Sequence, residues 1–421
     1  MPGDRPELPA QPMSRGRREA RRLAVARLIS ISGSIAASVA LASVLYERTG
    51  SAAWVAGGAL ATSLVAGTVT PLTGSLADRM DRRRLMIGSD LTACAAFLLL
   101  AILIAITASP LLLVLAAGIG AVCETPFVPA SRAALPNLVD DVDLPWANGL
   151  LGQVSGLSFA VGPLIGGALA GFVSPTAAMA FNALSFVASA LLVISIRQSF
   201  QHSGFTRSHH ERGAIRAGFR FVADDRLLRA VIFSGFVAFI GVGFIIAANP
   251  AFADVEGGGA IGLGCLWAGW GVGSILGAGF APRLLAPGRE VSVAVLGFGL
   301  QAGAILAAAV LPFWIAVIGL TVGGLGGGIA DPARQTLVQR RSPDAIRGRV
   351  ASVMEAVGWS SFAVSLIAAG VLVDRIGIRP SYALAGVLFI AGTALMIVMA
   401  GGKALRWRTR EAPIPSAEPN A

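Results

Sequence analysis

The chain is poor in the residues that soluble enzymes and disulfide scaffolds use. Only 13% of its 421 residues are charged, against about a quarter in soluble domains. It holds a single lysine, Lys403, to which no functional meaning attaches. Its three cysteines, Cys94, Cys123 and Cys265, all fall inside apolar runs. Their spacing suits neither a metal site nor a disulfide framework, so they read as small buried hydrophobes. Three histidines, His202, His209 and His210, share one polar loop without a Cys or acidic cluster beside them, and no metal is expected there. No nucleophile elbow and no phosphate-binding glycine loop is present, and no cofactor is expected. The longest internal polar stretch is too short for a signalling domain, which weighs against a membrane enzyme or a sensor.

What is there instead is apolar. The composition is 55% hydrophobic and the mean hydropathy is +0.74. Residues 1–23 form a polar, arginine- and proline-rich tail, expected to be disordered. Apolar runs follow near 24–46, 52–73, 85–107, 110–130, 148–171 and 176–195. A polar linker spans 196–227, and six more runs lie near 228–248, 259–281, 290–310, 313–332, 351–372 and 380–400, before a polar tail at 401–421. Each run is about 20 residues, enough to cross about 30 Å of hydrocarbon. The fold expected is all-α, with twelve transmembrane helices in two six-helix bundles, 24–195 and 228–400. The net charge of +10 could suggest nucleic acid, but the arginines sit in short loops between apolar runs. With both termini inside, the outer loops hold only Arg48, Arg375 and Arg379, which is the positive-inside pattern of a multi-pass protein of the plasma (inner) membrane.

Between the second and third runs lies Gly74-Ser-Leu-Ala-Asp-Arg-Met-Asp-Arg-Arg-Arg84. Six of its eleven residues are charged, and so short a hinge makes its flanking spans antiparallel neighbours. Asp78 can accept hydrogen bonds from nearby arginines or from a helix N-terminus. Gly74, Leu76, Ala77, Asp78, Arg79, Arg82 and Arg83 resemble, position by position, the signature that the major facilitator superfamily carries between its second and third helices. The halves also repeat at an offset of 203 residues: Pro129-Ala130 matches Pro332-Ala333, and Ser158-Phe159-Ala160-Val161 matches Ser361-Phe362-Ala363-Val364. Parallel six-span halves around a central substrate site are the plan of that superfamily. The resemblance implies that Asp78 contacts the start of the eleventh span in one state, with Arg347 and Arg349 as its partners.

The fifth run contains Gly162-Pro163-Leu164-Ile165-Gly166-Gly167. Proline bends a helix, and glycines let a neighbour pack closely. This run resembles the antiporter signature of the same superfamily and implies export by exchange; the alternative is a packing kink alone. With Pro129-Ala130-Ser131-Arg132, it is similar to the siderophore- and macrolide-exporter branch.

Four acids lie in spans, where each is a functional candidate. Glu124 has no basic residue within a helical turn, which suits proton pick-up and release. Asp90 lies under two turns from Arg84 and can pair with the hinge arginines. Asp331 can pair with Arg334. Glu355 begins a span, where a negative charge also suits the helix dipole. The first span holds no acid, and no arginine stands between Ala116 and Glu124, two departures from the drug–proton antiporter pattern. Ser30, Ser34 and Ser38 share one helical face, either for packing or to line a cavity, together with Gln301 and Phe236. The expected function is proton-coupled export of a small organic molecule (a drug, siderophore or metabolite) by a monomer. An importer or a lysolipid flippase on the same scaffold is the alternative.

Overall fold

The computed structural model describes residues 15–77, 80–140, 143–200, 214–256, 258–342 and 344–401. Within them, fourteen α-helices follow one another: α1 (Arg15–Thr49), α2 (Ala52–Ala77), α3 (Arg82–Ala105), α4 (Pro110–Glu124), α5 (Phe127–Leu138), α6 (Leu144–Ala168) and α7 (Pro175–Ser195), then α8 (Ala214–Asp224), α9 (Arg226–Val255), α10 (Gly259–Leu284), α11 (Glu290–Ala308), α12 (Phe313–Arg341), α13 (Asp344–Ile376) and α14 (Ile378–Ala400). Eleven stretches of the described residues are long and apolar enough to cross a membrane; α2 adds a shorter apolar stretch, Ala52–Val65. The fold is all-α, with two pseudo-symmetric bundles.

Local chemistry sets the helix ends. Asp81 accepts from the Arg84 N–H at 2.8 Å and starts α3; Ser174 does the same for α7 through Ala177. Asp225 accepts from the N–H groups of Leu227 and Leu228 and starts α9. Such side-chain acceptors satisfy donors that the first helical turn leaves without partners. The fourth span is two helices because Pro126 has no N–H to continue the α4 ladder. In the last turn before the break, the Thr125 hydroxyl and N–H both donate to the Ala121 carbonyl, at 2.5 and 3.1 Å.

Two expectations about the ends of the bundles need adjusting. Helix α1 starts at Arg15, inside the stretch read as a disordered tail. Its first turns are held by charge and aromatic contacts: Arg17 meets Asp143 at 2.6 Å, and Arg17 and Arg21 lie over Trp146. The linker is not a bare spacer either. Ile196 and Phe200 are buried, and α8 packs Val222 among Val338, Val350 and Val353.

Inside lipid the hydrophobic effect does not press helices together, so small side chains and hydrogen bonds decide the packing. Ser158 of α6 donates to the Leu28 carbonyl of α1 at 3.4 Å, and its repeat partner Ser361 of α13 donates to the Phe236 carbonyl of α9 at 2.5 Å. The two halves meet along two seams. One pairs α6 with α10, the other α2 with α13. In the first, Cβ atoms built on Gly264 and Gly271 would lie 2.6 Å from the Pro163 carbonyl oxygen and 2.5 Å from that of Phe159, so backbones touch directly.

Candidate functional site

A cavity of about 470 Å³ opens between α1 and the α4–α5 break. Helix α1 contributes Ser30, Ser34 and Ser38 from one face, because residues three and four apart stack above one another. The opposite wall carries Glu124, Thr125, Val128 and Pro129. Glu124 ends α4, so the proline break places its carboxylate at the cavity wall. Ser34 donates to that carboxylate at 2.5 Å, and among the described residues no cation pairs with it.

A second cavity, about 240 Å³, shares Ile35, Ser38, Leu41, Thr62 and Phe159 with the first and reaches Ile246, Pro250 and Trp267 of the other half. A third, about 180 Å³, shares Ile246 and Trp267 and is walled by Phe239, Asn249, Trp270, Gln301 and Asp331. The three form one chain of space from the serine and Glu124 wall to an aromatic wall. Asp331 meets Arg334 at 3.4 Å, as expected, and its side chain keeps 55% of its surface open. Arg334 is buried and stacks over Phe239 and Phe298. Tyr382, fully buried, donates its hydroxyl to the Asn249 side-chain oxygen.

Asp90 is 1% exposed and sits beside Ser189 and within electrostatic reach of Glu124. Among the described residues, its expected pairing with the hinge arginines does not form. Six residues along a helix turn it through about 600°, so Arg84 and Asp90 face different ways, Arg84 exposed and Asp90 buried. The hinge arginines serve carbonyls instead. Arg82 donates to Ala133 and Phe200, and Arg83 to Ile196 and Gln198.

The Gly162-to-Gly167 run is a double contact surface. Cβ atoms built on Gly162 and Gly166 would collide with Ile35 and Ala36 of α1, and one on Gly167 with Ala260 and Gly264 of α10. Pro163 stands inside α6 and lines the second cavity. Phe236 lines none of the three cavities; the α9 aromatic that does is Phe239. Asp78 and Arg79 lie outside the described residues, as do the side chains of Leu76, Arg347, Arg349 and Glu355; Gly74 lies in α2. The sequence reading missed Trp267 and Trp270, three residues apart in a glycine-rich span, which was signal enough to mark a binding wall.

A bundle of paired half-repeats with a central polar and aromatic cavity defines a transporter of the major facilitator type. The family model described as "Transmembrane secretion effector" matches residues 12–415, and the chain belongs to that family of the major facilitator superfamily. It is 26% identical to the multidrug efflux pump Tap of Mycobacterium tuberculosis, over 89% of this chain and 91% of Tap. It is 24% identical to the macrolide efflux protein A of Streptococcus pyogenes, over 86% and 91%. An uncharacterized MFS-type transporter, y4rN, of Sinorhizobium fredii is 31% identical over 61% of this chain and 64% of its own length. Among solved structures, the nucleoside transporter NupG superposes with a TM-score of 0.75 at 11% identity, covering 90% of this chain and 99% of that one. A bacterial homologue of the iron transporter ferroportin, in an inward-facing state, gives 0.71 at 17% identity, covering 91% and 99%. These two likenesses concern the fold alone. The protein is a multi-pass membrane transporter, not an enzyme.

Proposed function

We propose that the protein exports a small amphipathic organic molecule in exchange for protons, working as a monomer in the plasma membrane with its arginine-rich loops and both termini in the cytosol. One observation carries this reading: Glu124 stands in the cavity wall with the Ser34 hydroxyl as its partner and no cation paired to it among the described residues. Such a carboxyl can exchange its proton without first breaking an ion pair, and Ser34 can donate to the carboxylate or accept from the acid. Serines face the molecule on one side, and Trp267, Trp270 and Phe239 on the other, which suits a ligand with polar and apolar faces. The kinship with a multidrug pump and a macrolide efflux protein supports the outward direction. Rocking of the halves would then expose the cavity to each side in turn.

The test is proton flux in inside-out vesicles under an imposed pH gradient, with a panel of drugs, siderophores and lysolipids. Gradient collapse by a compound in wild type and not in Glu124→Gln is expected. Collapse of equal size in both would remove Glu124 from the coupling. No collapse with any compound, in vesicles shown to contain the protein, would overturn proton-coupled export.

A further inference from the structure

Among the described residues, Arg27 is a charge without a counter-charge. It is 3% exposed, and its Nε and Nη1 are buried with no hydrogen-bond partner. Two acids at the arginine-rich end are engaged elsewhere: Glu19 with Arg22 at 3.2 Å and Asp143 with Arg17 at 2.6 Å. Two other buried arginines have acceptors that Arg27 lacks. Arg82 reaches backbone carbonyls, and Arg334 reaches Asp331. Burial weighs most on Arg27, and a second cation, Arg132 of α5, adds repulsion. Among the described residues, neither forms an ion pair. Removing one charge from water with no compensation is costly, and setting a like charge beside it adds to the cost.

Their place in the fold explains why both are there. The Ser34–Glu124 hydrogen bond fixes the register of α1 against the antiparallel fourth span. Seven residues back along α1, about 10 Å, stands Arg27, and eight residues on along the fourth span, about 12 Å, stands Arg132. Arg27 stacks under Ser30 and Ile31, and Arg132 under Val128 and Pro129, all four of which line the large cavity. The pair therefore continues both cavity walls by one turn toward the arginine-rich end.

We propose that Arg27 and Arg132 form an oxyanion site at that end of the cavity, taking a phosphate, sulfonate or carboxylate group of an amphiphile. Two guanidinium forks present paired N–H donors that match such groups. The source of the anion is the transported molecule or a lipid headgroup. The first assignment rests on the export reading; the site itself does not.

The probe pair is 8-anilinonaphthalene-1-sulfonate and its uncharged counterpart N-phenyl-1-naphthylamine. Each is titrated against the full-length protein in phosphatidylcholine nanodiscs and read by energy transfer from tryptophan, with empty discs subtracted. In Arg27→Gln and in Arg132→Gln the sulfonate should bind about tenfold more weakly, the loss of one charged hydrogen-bonding partner, while the neutral probe binds as in wild type. Arg27→Lys should recover part of the loss. Unchanged sulfonate affinity in both folded Gln variants would sink the site, and so would equal weakening of both probes. Should Arg27→Gln fail to fold, the exposed Arg132 carries the test alone. Repeating the titration in phosphatidylglycerol discs separates the sources. A loss confined to wild type assigns the anion to lipid; equal loss in wild type and Arg27→Gln assigns it to the transported molecule. Sulfonate binding that survives alongside a negative vesicle assay would remove export and leave the site standing.

Discussion

The Asp374 carboxylate caps a helix of the opposite half. It accepts from the backbone N–H of Ala52 at 2.7 Å and of Ala53 at 3.4 Å, and from the Ser51 hydroxyl. Those donors open α2, whereas Asp374 closes α13. A carboxylate at a helix N-terminus meets both unsatisfied donors and the positive end of the dipole. These hydrogen bonds join the two halves at the end away from the arginine-rich loops.

Removing the fastener should shift the balance between conformations. Asp374→Ala loses an interaction of about 1 kcal/mol, or about fivefold in the equilibrium. Maleimide labelling of a cysteine placed at Ala56, in a variant lacking the three native cysteines, should speed up by about that factor. Labelling at the wild-type rate would show that the contact does not hold the halves together.

Glu124→Gln preserves shape and hydrogen bonding to Ser34 but cannot release a proton. Transport driven by a pH gradient should fall at least about tenfold, while substrate binding stays within about fivefold, since a neutral hydrogen bond is worth about 1 kcal/mol. Ser34→Ala removes the partner alone and should shift the pH dependence of transport without abolishing it. A flux titration from pH 5.5 to 8.5 checks both, and a wild-type profile in Ser34→Ala would separate the hydroxyl from coupling.

Gly264 tests the seam. Even one methyl there meets backbone, with the Pro163 oxygen at 2.6 Å and the Gly167 Cα at 3.1 Å, and neither can swing away. Gly264→Val should abolish transport and lower the melting temperature by several degrees, the effect of an overpacked contact of about 1–3 kcal/mol. Gly299→Ala, where a Cβ meets nothing within 4 Å, should behave as wild type. Equal damage in both variants would mean that the seam is no more sensitive than any lipid-facing glycine.

Tyr382→Phe removes one oxygen from a fully buried site and strands the Asn249 carbonyl oxygen it serves. A buried acceptor left without its donor costs about 1–3 kcal/mol. The melting temperature should fall by a few degrees, and Asn249→Leu in the Tyr382→Phe background should restore part of it. Thermal unfolding followed by tryptophan fluorescence reads both.

Hydropathy and the charged hinge were enough to read the spans, because lipid demands about 20 apolar residues whatever surrounds them. The pairing of Asp331 with Arg334, three residues apart, was legible for the same local reason. Asp90 was misjudged because nearness along a helix is not nearness around it. In lipid, both faces of a span are apolar, so the periodicity that marks a buried face in water is erased. That is why the seam at Gly264 had no pattern to announce it. A positive charge inside an apolar run was legible all the same, and Arg27 earned the scrutiny given to the four acids.

The seam and the cap have opposite mechanical characters. Where α6 meets α10, backbone lies against backbone at Gly264 and Gly271, and the Ile275 side chain is seated at Gly156. A surface with so few teeth offers few ratchet positions, so it can act as a bearing about which one half rolls with little unpacking. Friction is then concentrated at the rim where Asp374 grips α2. The cycling speed of such a machine can be retuned by editing its rim, with the cargo chamber left as it is.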